Sequence, residues 1–427
     1  MIERTLEFPS DFVWGSATAA HQVEGDNRHN NWWAHELAPD TNAIEPSGIT
    51  CDHYHRFAED FRLTKSLGHT AHRLSIEWSR IEPREGEINR TEIEHYRVVL
   101  STLRELGIEP WVTLHHFTEP QWLAQRGGMS RAENIEAFRR FVELAAKQYG
   151  DLVSHWCTIN EPTVVAELGF RFGYFPPRLH EEALATQALG NFLRAHTQAA
   201  QTLRAHARLS PSVGITLAVQ QHEPLHAENQ ADRALALRRD AESTGACYEA
   251  LRTGVFRYPG QPAVEIPGLR QASDFVGVQY YTRMRYSAAE GGPALQPDPD
   301  RTLTQMAWEI YPEGLAPLLR RAAFTGLPVY VTENGVCHDD DRIRVEYIAD
   351  HLAAVEQVRR EGADIRGYFY WSLMDNFEWN FGYGPKFGLV AIDRQTLARH
   401  PRQSAHFFAE IARSGKVTPE LVRRFMS

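Results

Sequence analysis

Two glutamates stand where strand-like apolar runs stop. The run from His155 to Asn160 continues into Glu161 and is broken by Pro162. The run from Pro328 to Glu333 continues into Asn334 and is broken by Gly335. Either glutamate alone is better explained as a surface residue of a turn, caught in an ordinary ion pair. Both together at one mouth point to chemistry. Opposed carboxylates are what cleavage of a glycosidic bond requires: one, protonated, hands its proton to the leaving oxygen, and the other, ionised, meets the oxocarbenium-like carbon. Like charges in one site drive the two proton affinities apart, so the pair shares one proton.

Other side chains fit around such a pair. Arg73 interrupts the apolar run from Ala71 to Glu77. A buried guanidinium there either keeps a neighbouring carboxylate ionised or makes a structural ion pair with Glu77 or another acid. His115 and His116 close a third run, and alternation along a strand lets only one of them enter the mouth. Glu119 stands four residues after His115, but the pair lacks the His-Glu-x-x-His pattern of a zinc helix, so a metal is not expected. Cys51, His53 and His55 invite a metal reading, but an exposed helix start is the better expectation. Asp339, Asp340 and Asp341 lack the glycine and terminal glutamate of a calcium loop, and acidic residues suit the opening of a helix. The segment from Tyr370 to Trp379 carries two tryptophans and Glu378. It either stacks and hydrogen-bonds a pyranose or fills core beneath the rim.

The elements that must hold these residues alternate regularly. Strand-like runs are expected at Phe12 to Ala17, Ala71 to Glu77, Glu109 to His115, His155 to Asn160, Val213 to Gln220, Asp274 to Tyr280, Pro328 to Glu333 and Ile365 to Ser372. Helical periodicity covers Asp52 to Leu67, Thr91 to Leu106, Arg131 to Tyr149, Glu181 to Ala207, Ala231 to Arg252, Pro312 to Phe324, Asp341 to Arg360 and Arg402 to Arg413. Leu106-Gly107 and Tyr149-Gly150 read as helix ends with a glycine past the last turn. Eight strand-then-helix units predict an α/β fold, one (β/α)₈ TIM barrel over residues 1–427 as a single domain. An open doubly wound sheet is the rival, but neither a G-x-G-x-x-G turn nor a phosphate-binding loop is present. The polar stretch from Ala288 to Arg301 is expected to be a loop after the sixth strand. Barrel active sites lie at the carboxyl ends of the strands, and strands four and seven fall on opposite sides of the ring.

The composition agrees. The chain has 427 residues, 45 Lys and Arg against 55 Asp and Glu, a net charge of −10, and 43% hydrophobic and 11% aromatic residues. It can bury a large core, which excludes disorder and fibrous structure. The acidic balance argues against nucleic acid or an anionic membrane as partner. Four widely spaced cysteines suggest neither a zinc knuckle nor a disulfide scaffold. No signal-peptide-like start and no apolar run of membrane-spanning length is found, so a soluble cytoplasmic protein is expected. No pattern sets an oligomeric state.

At this point the sequence resembles the retaining β-glycosidases of glycoside hydrolase family 1. The matching pieces, in order, are Phe12 to Gly25, Arg73 to Arg80, Thr158 to Pro162, Gln279 to Thr282, Trp308 to Gly314, Thr332 to Gly335, and Trp371 to Trp379 with Phe387 to Leu389 beyond. The resemblance implies Glu161 as acid/base and Glu333 as nucleophile. It implies Gln22, His116, Asn160, Glu378 and Trp379 as binders of the non-reducing sugar, and Trp371 as its stacking platform. Arg73 and Tyr281 become tuners of the nucleophile, and Trp308 a wall of the leaving-group site. No cofactor and no metal is implied. The expected partners are small-molecule β-glycosides or short oligosaccharides, and the expected activity is an exo-acting β-glucosidase with β-galactosidase or β-fucosidase side activity. A retaining mechanism implies carboxyl groups roughly 5–5.5 Å apart. A transglycosylase or a non-catalytic sugar-binding relative are the alternatives on the same scaffold. Three departures stand out: Gln279 replaces the usual Asn, Phe117 replaces a Trp found in many members, and Thr118-Glu119-Pro120 replaces Asp-Leu-Pro. The chain is short for the family, which implies trimmed rim loops and a more open leaving-group side. Glu378 argues against 6-phosphorylated substrates, because its carboxylate repels a phosphate.

Overall fold

The computed structural model describes residues 2–427. Eight parallel strands close into a barrel in chain order: β1 (Val13–Ala17), β2 (Ala71–Ser75), β3 (Glu109–His115), β4 (His155–Asn160), β5 (Ser212–Ala218), β6 (Phe275–Gln279), β7 (Val329–Asn334) and β8 (Ile365–Trp371). Closure is made by β8 on β1, from Gly367 opposite Val13 to Trp371 opposite Ala17. The strands are rich in β-branched and aromatic residues because both of their faces are buried, one against the barrel interior and one against the helices. All eight expected strands are present, with no end shifted by more than two residues. Strands four and seven are three places apart round the ring, so Glu161 and Glu333 face across a chord and not a diameter.

An aromatic plug fills the lower barrel. Trp111, Phe275, Tyr330 and Phe369 join Ala71 and Cys157 there. The Trp111 ring centroid lies 5.1 Å from Phe275, 4.7 Å from Tyr330 and 5.0 Å from Phe369. The interior is therefore a packed core, and polar side chains are admitted only above it.

The outer layer includes α1 (His53–Ser66), α2 (Arg90–Glu105), α3 (Asn134–Tyr149), α4 (Glu182–His206), α5 (Gln230–Glu242), α6 (Thr244–Thr253), α7 (Leu315–Ala323), α8 (Asp341–Arg360) and α9 (Gln403–Ser414). The expected single helix from Ala231 to Arg252 is two helices. Ser243, at φ −115° and ψ −101°, breaks the helical path between them. Asp340 caps α8 by accepting from the Arg342 N–H, as the acidic run suggests. The glycines after α2 and α3 serve different ends. Gly107 is left-handed at φ +65°, whereas Gly150 is not. A Cβ on Gly150 would stand 2.3 Å from the Ala146 carbonyl oxygen, so close packing requires the glycine there.

Two further expectations need correction. The stretch from Ala288 to Arg301 is not wholly loop: Gly292–Pro293 pairs with Arg283–Ser287, which pairs with Gln221–Pro224, in a small sheet above the barrel. The start of α1 is not exposed throughout. His53 is buried and hydrogen-bonds Asp60 at 2.8 Å, while His55 is exposed and pairs with Asp52.

The β7–β8 contact beside Glu333 is tight. A Cβ on Gly335 would stand 1.7 Å from the Trp371 carbonyl oxygen, a backbone atom with nowhere to retreat. Gly335→Ala should therefore destabilise the protein by about 1–3 kcal/mol. Urea denaturation of the variant beside the parent measures this.

Candidate active site

Two irregularities aim the glutamates. Cys157 belongs to the plug, yet Asn160, three residues on, also faces the interior. Strict alternation would turn it outward. The register of β4 against β5 slips by one residue between Cys157 and Asn160. Likewise Tyr330 is in the plug and Glu333 faces inward, and β7 slips between Val331 and Asn334. An extra residue in one strand re-aims the side chains that follow. Glu161 then takes a left-handed backbone, φ +46°, directly before the helical turn opened by Pro162. Its N–H donates to the Thr216 carbonyl at 2.8 Å.

Arg73, fully buried on β2, decides how the two carboxylates differ. Its Nη1 donates to Glu333 Oε1 and its Nη2 to Asn160 Oδ1. Its Nε donates to Thr113 Oγ1 at 3.1 Å. Glu77 is not its partner; that side chain accepts from Ser79 and Thr118. Tyr281 donates its hydroxyl to Glu333 Oε2 at 2.6 Å. Burial pushes the Glu333 carboxyl above the usual range, and the Arg73 charge and the Tyr281 hydroxyl oppose that push. Glu161 is raised well above the usual range, first by burial and then by the negative charge of Glu333. The proton of the pair therefore belongs to Glu161 and the charge to Glu333.

Around this pair the structure gathers every other residue expected at the site. Asn160 Oδ1 is taken by Arg73, by Gln279 Nε2 at 2.9 Å and by Thr216 Oγ1 at 3.1 Å, so its amide nitrogen turns toward His116 Nε2 at 3.3 Å. That contact leaves the His116 proton on Nδ1. Burial and the Arg73 charge hold this imidazole well below its usual range, hence neutral. His115 points the other way, against Phe138 and Phe192. The His116 ring lies parallel to Trp371 and to Trp379, with centroids 5.9 and 6.2 Å away. Gln22 Nε2 donates to the Phe377 carbonyl at 2.8 Å, to Asn376 Oδ1 at 3.1 Å and to Glu378 Oε2 at 3.3 Å. Trp308 packs on Tyr281, 5.7 Å between ring centroids, on the other flank.

Three buried polar atoms here, Gln22 Oε1, His116 Nδ1 and Gln279 Oε1, have no hydrogen-bond partner among the described residues. Buried polar atoms are rarely left so, and a ligand rich in hydroxyls supplies both donors and acceptors. The sequence reading missed Thr113 and Thr216, which hold Arg73 and Asn160. It also missed His21, whose ring stacks on Trp379 at 5.8 Å and whose Nε2 meets buried Glu36 at 2.7 Å. Small hydroxyl residues in a strand carry no distinguishing signal. Phe117 packs on Trp379, with ring centroids 5.0 Å apart.

Glu378 is pushed from its reference value of 4.5 up to about 8, by burial and then by the charge of Glu333. Its folded pKa thus lies above its unfolded one. The carboxyl costs nothing below about pH 4.5, and stability is lost as pH rises from there through about 8. Glu378→Gln should remove that loss, so the variant's melting temperature should gain on the parent's between pH 5 and pH 8.

Comparison with known proteins identifies the family. The model of "Glycosyl hydrolase family 1" matches residues 4–417. Beta-glucosidase A of Thermotoga maritima is 31% identical over 96% of this chain and 98% of its own length. Among solved structures, a beta-glycosidase from Pyrococcus horikoshii is 37% identical with a TM-score of 0.90, covering 99% of this chain and 98% of that one. A beta-glucosidase from Thermotoga maritima in complex with glucoimidazole is 30% identical with a TM-score of 0.88, covering 96% and 99%. Among the described residues no helix is long and apolar enough to cross a membrane. The chain belongs to glycosyl hydrolase family 1 and is a glycoside hydrolase built on a (β/α)₈ barrel.

Proposed function

We propose that the whole chain forms one catalytic barrel that acts as a retaining exo-β-glycosidase, with small β-D-glucosides as principal substrates and β-galactosides and β-fucosides as slower ones. Glu333 is the nucleophile and Glu161 the acid/base. The observation that carries this reading is the division of Arg73: one guanidinium nitrogen contacts Glu333, while Glu161 stands in a buried setting that favours its neutral form. The glucoimidazole complex of the Thermotoga relative supports a glucoside substrate. Four buried free cysteines support a reducing, cytoplasmic setting.

In the first step a carboxylate oxygen of Glu333 bonds the anomeric carbon. The bond to the leaving oxygen breaks, and that oxygen takes the proton of Glu161. Glu161, now ionised, then takes a proton from water. The water oxygen bonds the same carbon, Glu333 departs as carboxylate, and two inversions return the β configuration. Gln22, His116, Asn160, Glu378 and Trp379 hold the sugar hydroxyls and Trp371 carries its apolar face. Trp308 walls the leaving-group side.

Glu333→Gln should lower kcat by on the order of 10⁴-fold with the fold intact by circular dichroism. Glu161→Gln should spare aryl glycosides with good leaving groups in the first step, and added azide should restore turnover as glycosyl azide of retained configuration. Wild-type rates in Glu333→Gln overturn the assignment. Arg73→Met removes the cation that opposes the raised pKa of Glu333, so a smaller fraction is ionised at any given pH. The acidic limb of the kcat/KM profile should then move to higher pH, alongside a stability loss of about 3–5 kcal/mol.

A further inference from the structure

Trp379 is held in a conformation that its own backbone resists. Its φ is +50°, the left-handed region, which a bulky aromatic residue adopts only where its surroundings impose it. One short helix, Asn31–Glu36, supplies much of that constraint. Trp32 packs on Trp379 with ring centroids 4.5 Å apart, and His35 Nε2 meets Oδ1 of the next residue, Asn380, at 3.0 Å. Glu36 stands four residues after Trp32, on the same helical face, and reaches Trp379 through His21. The His21 ring lies parallel to the Trp379 ring, with 9° between their planes.

Every hydrogen bond of this connection has one direction. Asn30 Oδ1 accepts from the Trp33 N–H at 2.8 Å, so its Nδ2 donates to His21 Nδ1 at 3.0 Å. The imidazole then donates from Nε2 to Glu36 Oε1 at 2.7 Å. Glu36 Oε2 accepts from the Ser47 N–H at 2.8 Å and from Ser47 Oγ at 2.6 Å. Burial pushes the Glu36 carboxyl up, and the contacts with His21 and Ser47 outweigh that push and hold it below its usual range. A buried carboxylate that receives three donors is fixed, and the ring bonded to it is fixed as well. Gln22, which follows His21, grips the same segment at Asn376, Phe377 and Glu378. The segment therefore has an anchored backbone and an anchored ring. A pocket needs both to tell apart sugars that differ in the direction of one hydroxyl.

We propose that His21 and Glu36 are positioning residues for sugar choice: the pair fixes the Trp379 ring and, through it, the discrimination between gluco- and galacto-configured substrates. The proposal rests on the β-glycosidase reading, in which Trp379 holds a sugar hydroxyl. His21 and Glu36 act through Trp379, and their own hydrogen bonds end on Asn30 and Ser47.

The p-nitrophenyl β-glucoside and β-galactoside test it, because they share a leaving group and differ in the direction of one hydroxyl. The parent should prefer the glucoside in kcat/KM. Glu36→Gln keeps the shape but sets an amide among three donors, so the contact with either Ser47 or His21 becomes donor against donor. His21→Gln removes the ring and keeps a donor for Glu36, so no buried charge is left unpaired and this variant carries the test on its own. In each, the glucoside preference should fall toward one by about fivefold or more. The double variant should lose no more preference than the worse single, to within about twofold, since both residues act through one contact. Equal losses on the two sugars in the folded variants mark a merely structural pair and overturn the proposal, as does a parent that cleaves both sugars equally. An unchanged preference in Glu36→Gln overturns the carboxylate's part, and in His21→Gln the ring's part. Losses that multiply in the double variant overturn the single contact. A parent that cleaves neither sugar overturns the glycosidase reading as well.

Discussion

Arg73 has no exposure to solvent, and a buried guanidinium is tolerable only when its donors are met by acceptors in good geometry. Here the acceptors come from four other strands: Thr113 on β3, Asn160 on β4, Thr216 on β5 and Glu333 on β7. One cation thus ties five strands of the barrel above the aromatic plug. The same contacts arrange the chemistry. Glu333 receives the positive charge and Glu161 does not share it in the same way. Asn160 spends its carbonyl oxygen on Arg73, Gln279 and Thr216, which turns its amide nitrogen into the pocket and fixes the proton of His116 on Nδ1. Fold and site are coupled through this group, because loosening it would leave a buried charge unpaired.

The interior is divided by depth. Below, Trp111, Phe275, Tyr330 and Phe369 pack on one another, with His155 stacked on the Trp111 face. Above, charged groups accumulate at an energetic cost that the plug makes possible, since rigid packing beneath holds them in place. The raised carboxyls of Glu161, Glu333 and Glu378 share one physical origin, loss of water from acids crowded into one pocket. Such a pocket gains from a ligand that replaces water with aligned hydroxyls.

Much of this was legible along the chain. Eight strand-like runs alternating with helical periods announced the barrel, and the strand-end positions of Glu161 and Glu333 announced their shared mouth. The helix break at Ser243 was not legible, because both halves keep helical periodicity and the break is set by backbone dihedrals. Gly150 ends α3 as its position predicts, but what requires a glycine there is close packing against the Ala146 carbonyl, which only the structure shows. The choice between His115 and His116 needed the structure. Alternation says that only one enters, and only packing against Phe138 and Phe192 shows which one leaves. Trp371 and Trp379 were ambiguous between core and site; their rings are buried and their faces border His116.

By itself the sequence determined the order of elements, the residues at strand ends and the family, because periodicity and turn chemistry are local properties written in adjacent residues. Tertiary structure decided the rest. It set the one-residue slips in β4 and β7 that aim Asn160 and Glu333 inward, since a slip is defined only against a neighbouring strand. It also decided which carboxylate meets Arg73, since Coulomb attraction and desolvation depend on distances between residues hundreds of positions apart.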